Sequence, residues 1–432
     1  MASSYFSSSV IQFLAFFFSL SQLPSSSSRG IVFQLERDSS TLQYLIKINQ
    51  GTPSTAVKLV VDLGGKLPWL LCLKGTYNSS SIRPVKCMSA LCSLATKPLN
   101  STCIYKNSCS IYTNNPVTNS VARGELVSDL VTVLSNEDSN VTLGTPVASL
   151  RRCAFGCAAT VYISGGLAKG ANGVAGLGRS SALSFVTQFS VGFRFSRIFA
   201  LDLHDNINDD KLNQTRGKIY FGGGSYIHYL YGYEDWADRV LSYTPLLINP
   251  KRKEEYFIDV KSIKVHGETL PINKKLLSIN KKTGTGGTKI DIQIPYTTLQ
   301  TSIYKEYIKA YTGWVERYNN ANAKVLDFTN ITMVTPVAPF SACYNSSTIP
   351  LLTSFDSAPP GVAFIFAKSV WNISLYDLVR VKDGVDCVGF VDGGSKPKTS
   401  IVIGARQIGF LEFDISRSGL GFEQPSTKDL EF

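Results

Sequence analysis

Long apolar runs are scarce in this 432-residue chain. The segment from Val10 to Leu20 is the one extended run, and it is shorter than the roughly 20 residues that span a bilayer as a helix. Small and polar residues follow it, so residues 1–28 read as a secretory signal peptide, and no membrane span is expected after it. Histidine is nearly absent: His204, His228 and His266 are scattered, and no Cys-x-x-Cys pair occurs. That excludes a zinc site of the usual spacing, and no metal or other cofactor is expected. The formal charge is +11, but no dense Lys/Arg block is interleaved with aromatics, which excludes the single-strand and RNA-binding classes. The short basic stretches "NPKRKEE" and "NKKTG" read as solvated loop charges. For an exported protein, a basic surface also suits retention on an anionic cell-wall polysaccharide.

What is present is a globular composition. With 44% hydrophobic and 11% aromatic residues, the chain can bury a large core, in two parts. Short alternating or β-branched runs ("TLQYLIKI", "KLVVDL", "ELVSDLVTVL", "YFIDVKSIKV", "FIFAK", "TSIVIG") are bounded by Gly, Pro, Asn and Ser, the pattern of strands. Helical spacing is clearest after Pro295, where Ile303, Tyr307, Ala310, Tyr311 and Val315 recur on one face, with a shorter helix expected in "SSALSFVTQF". The Gly- and Tyr-rich stretch from Gly222 to Asp238 reads as a connection. The expectation is a mostly β, bilobal molecule with few short helices, the lobes spanning 29–235 and 236–432 and flanking a cleft.

Nine cysteines fit an oxidising compartment. Seven lie in the first half, where Cys87 and Cys92 suit a short loop. Cys343 and Cys387 stand alone in the second half and form its expected bridge. An odd count leaves one thiol over. Seven sequons, at Asn78, Asn100, Asn140, Asn213, Asn330, Asn345 and Asn372, permit N-glycosylation of an exported chain.

The stretch Val60-Val61-Asp62-Leu63-Gly64 delivers a carboxylate from a hydrophobic strand into a glycine turn. Together with Trp69, "NGVAGLGRSSALSFVTQ", "PLLINPKRKEEYFIDVKSIKVHGETLPI" and the closing "IVIGARQIGFLEFDISRSGLGF", it resembles the pepsin-like aspartic protease fold over nearly the whole mature chain. More narrowly, "TLQYLIKINQGTP", "VVDLGG", "GTGGTKI" and "VDGGSKPKTSIVIG" resemble plant extracellular proteins of the xylanase-inhibitor, extracellular dermal glycoprotein and basic 7S globulin type. That resemblance implies a protease fold generally without protease activity, used in several cases to block microbial glycoside hydrolases.

A pepsin-type mechanism needs two close carboxylates that share a proton and activate one water. Asp62 is the candidate in the first half, but Leu63 stands where a hydroxyl braces the two active-site loops, and Lys66 brings a cation that would hold Asp62 ionised. In the second half, the offset implied by the resemblance lands near Gly286, where no aspartate stands. Asp291 reads as an exposed strand position alternating with Ile290 and Ile292. Asp62 is therefore read as the remnant of a pair. Tyr112 is one place off the flap spacing and reads equally as a packed strand aromatic. The cysteines that relatives carry on the strand matching "RIFALDL" and at the C-terminus are missing, which puts the orientation of the lobes in question.

The expected function is a secreted, catalytically inactive aspartic-protease homologue that binds and inhibits a xylanase or xyloglucan endoglucanase in plant defence. The alternatives are an aspartic endopeptidase using Asp62, and a seed-globulin-like storage or peptide-binding protein. In the inhibitors the chain resembles, a basic residue of the loop "VDGGSKPKTSIVIG" points at the hydrolase carboxylates. Lys398 matches that position best and Lys396 second, while two solvated lysines remain the plainer reading.

Overall fold

The computed structural model describes residues 30–423 except 74, 76, 97–101, 105–106, 135–145, 204–215, 224–225, 229–233, 236–240, 326–327, 350–360 and 374–377. The expected signal peptide (1–28), the sequons at Asn100, Asn140 and Asn213, and much of the Gly222–Asp238 connection therefore lie outside the described residues.

Each half builds the same parallel strand unit from β-branched runs. In the first, Thr55–Asp62 lies parallel to Gly173–Gly176, with Val60 opposite Val174 and Asp62 opposite Gly176. Gly173–Gly176 also pairs antiparallel with Trp69–Leu71. In the second, Thr288–Ile290 lies parallel to Ile401–Ile403, which pairs antiparallel with Thr297–Leu299. Gly173–Gly176 and Ile401–Ile403 are buried at every residue, which is why they read as small or apolar runs rather than alternations.

The halves are joined through one antiparallel sheet. Ile31–Arg37 pairs with Arg216–Phe221, which pairs with Ile198–Asp202. Ile198–Asp202 pairs with Phe410–Asp414 from the far end of the chain, followed by Gly419–Phe422 and Ser242–Asn249. Period-two alternation in Ile31–Arg37 sends Ile31, Phe33 and Leu35 into the core. At the seam, the rings of Phe199 and Phe413 stack with centroids 4.5 Å apart and planes 1° apart, and Tyr256 meets Phe413 edge-on at 4.8 Å. Apolar residues of both halves thus form one continuous core.

Among the described residues there are four α-helices. Thr301–Asn322 is the longest, at 22 residues, and covers the stretch after Pro295 where helical spacing is clearest. It starts at Gln300, whose side chain accepts from the Ser302 amide, and it buries Ile303, Tyr307, Tyr311, Trp314 and Val315, an i, i+4, i+8 stripe. Phe185–Phe193 packs Phe189 against Phe33 and Phe221 of the sheet, with Phe185 stacked on Phe189.

Four disulfides form: Cys72–Cys157, Cys87–Cys103, Cys92–Cys109 and Cys343–Cys387. The short Cys87–Cys92 loop is corrected. The helix Ala90–Thr96 points Cys92 inward toward Cys109, while Cys87, just before it, faces the neighbouring strand Thr102–Ile104. Cys343 and Cys387 face each other directly on antiparallel strands. Cys153 carries the free thiol, and its burial pushes its pKa well above the usual thiol range.

Candidate functional site

Asp62 ends its strand with its side chain 7% exposed. Its Oδ1 accepts from the Gly64 amide at 2.8 Å, and its carbonyl accepts from Leu177 N at 2.8 Å. Gly65 cannot be replaced freely here. A Cβ at that position would lie 2.7 Å from Gly176 Cα and 2.9 Å from Asp62 Oδ2.

A second carboxylate, Asp291, lies near enough for its charge to act on this one. Asp291 follows Thr288–Ile290 as Asp62 ends Thr55–Asp62, and its Oδ1 accepts from the amide two residues on, Gln293 N, at 3.0 Å. Asp62 and Asp291 thus occupy matching places in the two halves, at the ends of the two parallel units. Two expectations are corrected. Asp291 is no outward strand residue, and the partner carboxylate lies five positions beyond Gly286. Gly286 is held elsewhere, its amide donating to Lys398 O at 3.0 Å, in a left-handed backbone conformation at φ 82°. The place of the second aspartate is set by where its strand stops pairing with Ile401–Ile403, not by a count from Pro295. The signal that could have found it is the repeated apolar-Asp-apolar triplet: Val61-Asp62-Leu63 and Ile290-Asp291-Ile292.

The surroundings of the pair differ from a proton-sharing site. Burial, then the nearby Asp291 charge, pushes the Asp62 pKa up to about 7, against smaller opposing effects from the Gly64 amide and the Lys289 ammonium. Lys289 Nζ lies 2.9 Å from Asp291 Oδ2 and 3.4 Å from Glu255 Oε1, and Arg252 Nη1 lies 3.2 Å from Glu255 Oε2. Burial disfavours the Lys289 charge, but Asp291 and Glu255 outweigh it and raise its pKa. The expectation that a nearby cation holds Asp62 ionised is corrected: the cation of the site is Lys289, and it pairs with Asp291 and Glu255 while the Asp62 pKa stays raised. Lys66 itself is largely exposed and faces Glu254 at 3.8 Å, so it does not hold Asp62 ionised.

Leu63 and Ile292, in the positions after the two aspartates, are both 1% exposed and offer no hydroxyl. The brace between the two loops comes instead from Gln293, whose Nε2 donates to Val61 O. Tyr112 stands out from the strand Ser108–Asn114, opposite Arg123 and more than half exposed, so the packed-aromatic reading is corrected too.

The loop between Phe390–Asp392 and Ile401–Ile403 exposes Lys396 and Lys398. It is not brought against Asp62. It connects to the pair through Arg252, whose Nη1 donates to Thr399 Oγ1 at 2.7 Å. Of the described sequons, Asn78, Asn330 and Asn372 are exposed, whereas Asn345 is half-buried and its Oδ1 accepts from Ser347 N and Oγ.

Two pseudo-symmetric halves, each delivering an aspartate from a parallel strand unit into a turn, define a pepsin-like scaffold. A solved aspartic proteinase from Irpex lacteus shares this fold at 14% identity and a TM-score of 0.55, covering 92% of this chain and 98% of that one. Within that class the chain belongs to the xylanase-inhibitor family: the "Xylanase inhibitor N-terminal" model matches residues 44–223 and the "Xylanase inhibitor C-terminal" model residues 255–424. It is 38% identical over 418 residues to "Probable aspartic proteinase GIP2" of Nicotiana benthamiana, covering 91% of this chain and 88% of the relative. It is 31% identical over 436 residues to "Gamma conglutin 1" of Prunus dulcis, covering 95% and 93%. The crystal structure of edgp superposes with a TM-score of 0.78 at 36% identity, covering 92% of this chain and 95% of that one.

Proposed function

We propose that this chain is a secreted, catalytically silent member of the family that binds and inhibits a glycoside hydrolase of the xylanase or xyloglucan-endoglucanase type in plant defence. The observation that carries the silence is the Lys289–Asp291 ion pair at 2.9 Å. Proton sharing between two carboxylates requires that their mutual repulsion be relieved by one common proton and a bound water. Here Lys289 pairs with Asp291 alone, so that carboxylate is engaged before any substrate arrives and is not free to share the proton of Asp62. The family description supports the partner class. Four disulfides in a chain with exposed sequons support an extracellular setting. In this reading Lys398, with Lys396 beside it, enters the hydrolase active site as a cation between its two carboxylates.

A second reading, an aspartic endopeptidase, draws on the presence of both Asp62 and Asp291. One assay separates the two: cleavage of an unfolded protein between pH 3 and 6, alongside inhibition of a panel of secreted xylanases and xyloglucan endoglucanases. The inhibitor reading expects no cleavage and inhibition of at least one hydrolase. Acid-dependent cleavage abolished by Asp62→Ala and by Asp291→Ala would establish the endopeptidase instead.

A further inference from the structure

Three basic loops, far apart in sequence, converge at one end of the second half. The first is the turn between Ser242–Asn249 and Arg252–Ile258, which exposes Lys251, with Lys253 exposed at the start of the second strand. The second is the turn after Asn280, which exposes Lys281 and Lys282. The third carries Lys396 and Lys398.

The contacts between them are specific. Asn249 Nδ2 donates to Gly284 O at 2.8 Å, and Gly286 N donates to Lys398 O at 3.0 Å. Arg252 clamps all three: Nη2 donates to Gly284 O at 2.7 Å, Nη1 to Thr399 Oγ1 at 2.7 Å, and the guanidinium lies 4.9 Å over the Phe257 ring. The turn at 280–285 is closed by its own bonds, with Asn280 Oδ1 accepting from the amides of Lys282 and Thr283. Gly284 has φ 74°, and a Cβ there would fall 2.7 Å from Lys251 Cβ, so the first two loops touch.

The neighbouring carboxylates do not neutralise the lysine tips. Glu255 is committed to Arg252 and Lys289, and Glu254 faces Lys66. Asp392 at the start of the third loop accepts from Thr301 Oγ1 and Gly394 N.

We propose that these six lysines form a single pre-organised cationic docking surface for an acidic protein partner. Resting on the inhibitor reading above, the partner is an acidic glycoside hydrolase, met around the rim of its active-site cleft. The two outer loops steer and the third inserts. Clustered charge of one sign raises the association rate of an oppositely charged partner, an effect that falls steeply with ionic strength. Loop tips held by a shared guanidinium lose little freedom on binding, which favours a shaped protein surface. A polysaccharide chain would be better served by a groove or a linear row of charges.

The test uses the full mature protein and surface-plasmon-resonance kinetics with acidic xylanases and xyloglucan endoglucanases at about 0.05 and 0.25 M salt, and polygalacturonate as the polysaccharide probe. The expected result is a steep salt dependence of association. The triple variant Lys251→Glu, Lys281→Glu, Lys282→Glu should associate at least tenfold more slowly with unchanged dissociation. Lys251→Ala, with a single mild change, should shift association in the same direction and guards against misfolding of the triple variant. Association unaffected by charge reversal while binding persists would overturn the surface and leave the inhibitor reading standing. Loss of polygalacturonate retention in the triple variant with unchanged hydrolase association would assign the lysines to the polysaccharide instead. Failure of every hydrolase to bind the unmodified protein would remove the inhibitor reading, and this surface's role with it.

Discussion

Lys289 sets its ammonium 2.9 Å from the Asp291 carboxylate. A scaffold built to hold two carboxylates face to face here holds two carboxylates and a cation. The cation is itself shared with Glu255, so charges alternate in sign from Arg252 to Asp291. Replacing Lys289 by Met leaves Glu255 and Asp291 without their common counter-ion. At neutral pH this should destabilise the protein by about 1–3 kcal/mol, below the range for fully buried pairs because the site is partly solvated. Lys289→Arg should lose less. Denaturant unfolding of the three proteins checks this, and an unchanged midpoint in Lys289→Met would contradict it.

Asp62 makes stability depend on pH in a defined direction. Its folded pKa is raised from 3.8 to about 7, so the folded state holds a proton that the unfolded state has released. Between those values stability falls as pH rises, by roughly 1.4 kcal/mol per pH unit, and the loss is complete above pH 7. Asp62→Asn removes this dependence. Its melting temperature relative to the unmodified protein should climb between pH 4 and 7 and stay level above and below that window. A difference independent of pH would show that Asp62 ionises freely in the folded protein.

The inserted cation of the proposed inhibitor is tested most directly at Lys398. Lys398→Ala should weaken inhibition of the true target tenfold or more, on the order of 1.4 kcal/mol, without moving the melting temperature. Because lysine lacks the forked geometry of arginine, the contact should also weaken as salt is raised. Unchanged inhibition in the Lys396→Ala, Lys398→Ala double variant would remove this loop from the mechanism.

The seam between the halves predicts a global effect. Phe413 is fully buried, stacks on Phe199 and meets Tyr256. Phe413→Ala should cost about 3–5 kcal/mol through the cavity it opens. Because the ring packs on residues of both halves, tryptophan fluorescence, which among the described residues reports Trp69 in one half and Trp314 and Trp371 in the other and also includes Trp236, should show a single shifted transition. Two separated transitions would mean that each half carries its own stability.

The strand-rich architecture, the bilobal plan and the two main helices were legible in residue order. They rest on local periodicity: alternation in Ile31–Arg37 and the i, i+4 recurrence of Ile303, Tyr307 and Tyr311. Asp62 was legible for the same reason, as a carboxylate at the end of a β-branched run before a glycine. Asp291 was not. Period-two reasoning places a residue between Ile290 and Ile292 on an outer face, yet the strand stops at Ile290 and the next residue turns toward the opposite half. Cys92 was misassigned because sequence distance cannot show that Ala90–Thr96 is a helix aiming its sulfur at Cys109.

The sequence by itself determined the composition of the core, the supply of cysteines and the surplus of lysines, because these depend on residue type and short-range pattern alone. Only the tertiary structure decided which carboxylate acts on Asp62, which lysine pairs with that carboxylate, and that the loops carrying Lys251, Lys281 and Lys398 touch one another. Those relationships are set by parallel strand registers and by one guanidinium bonded to residues 32 and 147 positions away, and pairing at such separations leaves no periodic trace in the chain.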